Sequence, residues 1–253
     1  MTPFKFAYLE PLFEDIVGLR EEGAYRQLPA PQASSSLATD DAPLGMYSAS
    51  TLIRSSFTAG VAHADALRRL VLHGEVDPTS PWTLLRGALE NFATGVWLLS
   101  GSGRSERRRR ALSLWDEDMR NRHQHERDTG YQPDVGGMTG AQRRGQIRAI
   151  ADRLSLAPLT APKANQVLLD AAPAAGLTAV KVCATWRAAS GFAHGRYWPN
   201  LRVSMPIDAV RGGPDHYLAA LVIDESEHRK LAQYTRALLQ NVQARYLARS
   251  TTH

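Results

Sequence analysis

Only one cysteine, Cys183, occurs in the 253 residues. An intrachain disulfide is therefore impossible, and a zinc site built from cysteines is excluded. Long apolar runs are missing too. The most apolar stretch, residues 82–99, contains Arg86 and Glu90, so it reads as a buried core helix and not a membrane span. No stretch near the N-terminus joins a basic start to a continuous apolar run, so no secretory leader is expected, and the expected location is cytoplasmic. A glycine-rich phosphate loop, a Rossmann turn, a zincin motif and a serine nucleophile elbow are all absent. The chain has no internal repeat. Its one segment of biased composition is residues 28–43, rich in Pro, Ser and Asp, where an irregular and mobile segment is expected.

What is present is ordinary for a globular protein: 43% hydrophobic and 22% charged residues, with Ala and Arg favouring helix. The length fits one large domain. A net charge of +5 suits contact with nucleic acid or another polyanion; a general preference for Arg over Lys explains it equally well. Helical spacing of apolar residues predicts helices over about 8–22, 48–73, 80–99, 105–127, 142–154, 163–171, 177–194 and 225–249. Ser80 is the expected N-cap of the third, with Pro81 at its first position. Two β-like runs, 201–207 and 217–223, flank Arg-Gly-Gly-Pro-Asp and predict a hairpin within 199–224. The expected fold is all-α: an up-and-down helical bundle with a small β-hairpin near the C-terminus.

Two of these helices carry few charges, and the polar residues on them stand out. Arg86 and Glu90 lie one turn apart on one face of the 80–99 helix. On the 177–194 helix, Arg187, Ser190 or Gly191, and His194 fall on one stripe, which continues back through Cys183 or Ala184 to Val180. Charges on buried helices must be paired or face a solvated cavity. Glu90 is the natural counter-ion for Arg187 or Arg86. The set is either a buried ion pair that fixes helix packing, or a cleft in which Arg187 binds an anion and His194 moves a proton. Trp186, Phe192, Tyr197 and Trp198 surround His194; they suit base stacking, a pocket wall or plain core packing.

The run Trp186-Arg-Ala-Ala-Ser-Gly-Phe-Ala-His194-Gly has an Arg and a His separated by six residues on one helix. It resembles the Arg-x(4–6)-His motif of the HEPN superfamily, over residues 48–195. The resemblance implies a helical bundle, often dimeric, and either a metal-independent endoribonuclease or an RNA-binding module. Arg187 and His194 match the family's Arg and His, with Glu90 corresponding loosely to a polar residue on a neighbouring helix. The residue after the Arg is commonly polar in the family and is Ala188 here. In that chemistry a histidine activates the ribose 2′-hydroxyl or protonates the leaving oxygen, while an arginine holds the phosphate. RNA and a second copy of the chain are the implied partners, and no cofactor is implied.

Other features support other readings. Arg104-Ser-Glu-Arg-Arg-Arg-Arg110, with Arg107 and Arg108 at its centre, suits phosphate binding or a solvated helix face. It also opens a helix, where cations oppose the dipole, so compensation is expected. Asp116, Glu117, His123, His125 and Glu126 are ligand types suited to iron or manganese, though the segment lacks Glu-x-x-His spacing. His63 joins a possible metal set with Glu90 and His194. An all-α small-molecule enzyme with a metal inside the bundle is therefore the alternative function, and a non-catalytic helical interaction protein is a third.

Overall fold

The computed structural model describes residues 6–21, 24–25, 27–74, 76–133, 137–213 and 216–252. The fold is an all-α bundle with a C-terminal hairpin, as expected. Its α-helices are α1 (Glu10–Val17), α2 (Ser36–Asp41), α3 (Ala49–His73), α4 (Ser80–Leu99), α5 (Arg104–Thr129), α6 (Gly140–Arg153), α7 (Ala164–Ala174), α8 (Ala179–Ala193), α9 (Asn200–Val203) and α10 (Glu225–Ser250). A two-residue antiparallel pair, β1 (Arg20–Glu21) and β2 (Ala24–Tyr25), follows α1. The hairpin proper is β3 (Ser204–Gly213) with β4 (His216–Ile223), paired from Ser204 opposite Ile223 and shifted in register between Ile207 and Val210 and again between Arg211 and Gly213. No helix among the described residues is long and apolar enough to cross a membrane.

Helix α4 is the axis of the molecule. It is apolar nearly all round, and α3, α7, α8 and α10 all pack on it, leaving a half-buried polar stripe through Arg86, Glu90 and Thr94. Trp82, Leu85, Leu89, Phe92, Val96 and Leu99 are fully buried. At about 25 cal/mol per Å² of apolar surface, such burial is the main source of stability. Contact between helices is close where a side chain is missing: a Cβ on Gly95 would lie 2.5 Å from Val242 Cγ2 of α10. One continuous core runs from Phe6 to Tyr246.

Several expectations need correction. Residues 28–43 are not irregular throughout. Ser35 Oγ accepts the Ala38 amide at 3.2 Å and starts α2, whose Leu37 is buried. Leu28 and Leu44 are buried as well, so a few anchors order a stretch whose composition suggests a loop. Ser80 does not cap α4; Asp77 Oδ1 does so from outside, accepting the Thr79 and Ser80 amides at 2.7 and 2.8 Å. The first helix is shorter than expected and is preceded by a 3₁₀ turn at Ala7–Leu9. Residues 200–203 form a helical turn, and the strand begins at Ser204. Parts of the 129–139 loop and of the hairpin turn, 134–136 and 214–215, lie outside the described residues.

Candidate functional site

Helix α8 is buried on one side only. Val182, Cys183, Ala188, Ala189 and Phe192 are buried, with α4 and α7 packed against the helix. The Cys183 thiol points at the Asn165 carbonyl of α7 at 3.6 Å, and burial raises its pKa. Phe192 stacks on the buried Trp82, ring centroids 5.2 Å apart. Val180, Lys181, Ala184 and Arg187 face solvent. Of the two low-charge helices, α4 has no exposed residue, whereas α8 shows an open stripe.

The end of α8 determines what lies along that stripe. His194 is the C-cap, and Gly195 follows in the left-handed region at φ +61°, where a side chain is strained. The Gly195 amide bonds the Phe192 carbonyl at 3.0 Å, and the Arg196 amide bonds that of Gly191 at 2.8 Å. This is the Schellman arrangement. It reverses the chain, so that Trp198 and Pro199 fold back over Gly191. A Cβ there would lie 2.4 Å from Pro199 Cγ and 3.3 Å from Trp198 Nε1. Because Gly191 is one turn from both Arg187 and His194, the indole of Trp198 sits against the stripe between them. Arg187, His194, Arg196, Tyr197 and Trp198 are all exposed, and Ser190 is half-buried. None of Lys181, Arg187, His194, Arg196 and Arg202 makes a side-chain hydrogen bond or ion pair to a described residue.

Glu90 is held elsewhere. Its Oε1 accepts Arg86 Nε at 2.9 Å and Trp186 Nε1 at 2.5 Å. Of the two proposed counter-ions, the partner is therefore Arg86, and Trp186 is the group that ties α8 to the pair. No hydrogen bond or ion pair among the described residues joins Glu90 to Arg187 or His194. Glu90 does border a cleft of about 290 Å³ with Asn91 and Thr94, walled by Leu114, Val167 and Leu168. His63 reaches α4 beside this turn; its ring atoms lie 2.9–3.0 Å from where a Cβ on Gly87 would stand. Packing of α3, α4 and α8 thus brings Arg86, Glu90, Trp186 and His63 into one neighbourhood, with Arg187 exposed next to Trp186 in the chain.

The arginine run at the start of α5 is occupied. Arg107 is buried and bonds Asp40 Oδ2 at 2.6 Å, while Arg104 takes Oδ1 at 2.9 Å. Arg108 donates to the backbone carbonyls of Asp40 and Thr39 at 2.9 and 2.8 Å. Arg109 and Arg110 share Glu106, and Arg110 also stacks on Trp97, 4.7 Å from the ring centre. The compensation that the helix dipole demands comes from Asp40 and Glu106. Arg107 and Arg108 are therefore anchors of α5 on α2.

The segment 116–126 is similarly engaged. Asp116 receives Arg144 and Arg148 of α6, and Glu117 pairs with Arg120. Glu126 accepts Arg122 at 2.7 Å and the Gly140 amide at 2.8 Å. No three His, Cys, Asp or Glu side chains among the described residues converge as a metal set would require.

One polar group escaped the sequence reading. His228 of α10 is fully buried; its Nδ1 meets Tyr8 Oη at 2.7 Å and its ring stands edge-on to Trp82 at 4.8 Å. Burial lowers its pKa to about 4, with a Pro81 backbone group working weakly the other way. Burial likewise raises the Tyr8 pKa. The signal was available: His228 lies three residues before Leu231, on the buried stripe of α10.

No protein-family model, curated protein or solved structure matches this chain.

Proposed function

We propose that this chain is a HEPN-like RNA-binding protein whose binding face is the open stripe of α8 and its continuation through α9. One observation carries the reading. From residue 171 to residue 207 there is no Asp or Glu, and all four cations of that stretch, Lys181, Arg187, Arg196 and Arg202, are exposed and unpartnered among the described residues. Exposed Tyr197 and Trp198 lie among them. Free guanidinium groups neutralise phosphates, and aromatic faces stack bases without sequence preference.

The catalytic form of the proposal assigns roles to Arg187 and His194. His194 takes the proton of a ribose 2′-hydroxyl as that oxygen attacks the adjacent phosphorus, and the bond to the 5′-oxygen breaks, the leaving oxygen taking a proton from water. Arg187 holds the charge that grows on the phosphoryl oxygens. Glu90 acts as a positioning residue: through Trp186 it holds α8 in place. Self-association belongs to the same proposal, since Leu201 of α9 and Met205, Ile207 and Val210 of β3 present apolar side chains to solvent beside this face.

The test combines fluorescence anisotropy with gel-based cleavage of single-stranded RNA, with and without EDTA, and a sedimentation measurement of mass. Binding that weakens with salt and is lost in Arg187→Ala/Arg196→Ala supports the face. EDTA-resistant cleavage lost in His194→Ala supports the enzyme. An absence of binding at low salt rejects the proposal, and EDTA-sensitive cleavage transfers the case to a metal enzyme.

A further inference from the structure

A second cavity lies on another part of the molecule. It has a volume of about 700 Å³ and sits where the α3–α4 connection, the base of the hairpin and the start of α10 meet. Its walls are apolar: Phe6, Val76, Pro78, Met205, Leu221 and Val222. Its polar lining is Asp77, Asp224, Glu225 and Ser226, and no cation lines it among the described residues. In a chain of net charge +5 this is a local reversal of sign.

Two of these carboxylates are only half used. Asp77 caps α4 through Oδ1 alone, and Asp224 caps α10 through Oδ1 alone, accepting the Ser226 amide at 2.9 Å and the Ser226 hydroxyl at 2.7 Å. The Oδ2 atoms of both, and the whole carboxylate of Glu225, have no partner among the described residues. Asp224 is kept ionised by the Ser226 hydroxyl and the first amides of α10, which hold its pKa below the usual carboxylate range. Asp77 is held low as well, its bonds from Ser80 and Thr79 outweighing a burial cost. Lys230 of α10 bonds Glu227 at 2.6 Å, and its charge also helps to hold the Asp224 pKa low.

We infer that this cavity binds a small apolar molecule bearing a positive charge, an aryl or alkyl amine, with its hydrocarbon against Phe6, Met205 and Leu221 and its ammonium at Asp77, Asp224 and Glu225. A volume in the range of small-molecule pockets, apolar walls and lining charges of one sign suit such a site. The inference does not rest on the α8 face; Met205 alone belongs both to this cavity and to the apolar surface beside that face.

The experiment uses the full chain and three probes of matched shape: 1-naphthylmethylamine, 1-naphthylmethanol and 1-naphthylacetate. Calorimetry and thermal shift read the binding. The amine is expected to bind about two- to tenfold tighter than the alcohol, as partly exposed ion pairs allow, and the acetate weakest of all. The triple variant Asp77→Asn/Asp224→Asn/Glu225→Gln keeps both caps, because an asparagine oxygen also accepts the amides. It is expected to bind amine and alcohol alike. Met205→Trp, which fills the cavity from an exposed strand position, is expected to abolish binding of all three. Equal affinities in the wild type overturn the charge selection, as does a preference for the acetate. No binding of any probe at millimolar concentration overturns the site.

Discussion

Two arginine-rich regions of this chain differ more than their sequences suggest. The first turns of α5 hold five arginines in seven residues, yet these are absorbed by Asp40, Glu106, backbone carbonyls and an indole face. The stretch through α8 and α9 holds four cations in a much longer span, and all of them face solvent without a partner among the described residues. Density of charge along the chain does not measure charge available to a ligand. What matters is whether the fold brings carboxylates to the same place. Asp40 and Glu106 stand at α5, whereas no acid occurs between Asp170 and Asp208 to answer α8.

The sharpest way to break this comparison is to remove Asp40. Asp40→Ala leaves Arg107 buried and unpaired, and a loss of about 3–5 kcal/mol is expected in urea unfolding. Arg187→Ala, on the open face, is expected to change stability by less than about 0.5 kcal/mol. Similar losses at both positions erase the distinction.

A pH titration makes the same contrast between two histidines. His228 is neutral in the fold, with a pKa of about 4 against 6.5 for an unperturbed histidine. The unfolded chain therefore binds the extra proton first as pH falls. Stability is complete above about pH 6.5 and is lost as pH drops towards 4, by up to about 3 kcal/mol. His228→Gln is expected to remove this component from thermal melts measured between pH 7 and 4, whereas His194→Ala keeps it. An unchanged acid slope in His228→Gln would contradict the buried-histidine account.

Smaller still is the effect expected for Gly191→Ala. The new methyl group meets Pro199 and the indole of Trp198, and overpacking of this kind costs about 1–3 kcal/mol. Because it displaces Trp198 from between Arg187 and His194, RNA affinity is expected to fall along with stability. Tryptophan fluorescence reports the displacement, and an unaltered spectrum with unaltered affinity separates Trp198 from the proposed face.

The finest test is the salt dependence of RNA binding. Four free cations predict a slope of log affinity against log salt of about −3 for single-stranded RNA, and Arg196→Ala or Arg202→Ala lowers its magnitude by about 0.7 each. Arg108→Ala is expected to leave the slope unchanged, since that guanidinium is held by the carbonyls of Thr39 and Asp40. A slope that responds to Arg108 and ignores Arg196 inverts the comparison.

Periodicity made the helices legible. The 3.6-residue spacing of apolar side chains located α3, α4, α5, α6, α8 and α10 within a few residues, because burial of one face leaves its mark at each turn. The same spacing singled out Arg86 with Glu90, and Arg187 with His194, since one-turn neighbours share a face in any helix. Short elements were less readable. Helix α2 rests on one serine cap, one buried leucine and an aspartate held by distant arginines, too little to rise above a Pro/Ser-rich background.

By itself, then, the sequence determined the helical class, the apolar axis at α4, the hairpin before the last helix and which polar residues share a turn. Those properties depend on neighbours a few positions away. Only the tertiary structure decided which charges are spoken for. Asp40 meets Arg107 across 67 positions, Glu90 meets Trp186 across 96, and Tyr8 meets His228 across 220. Electrostatic and hydrogen-bond partners are chosen by distance in space, and no pattern of local spacing carries that information.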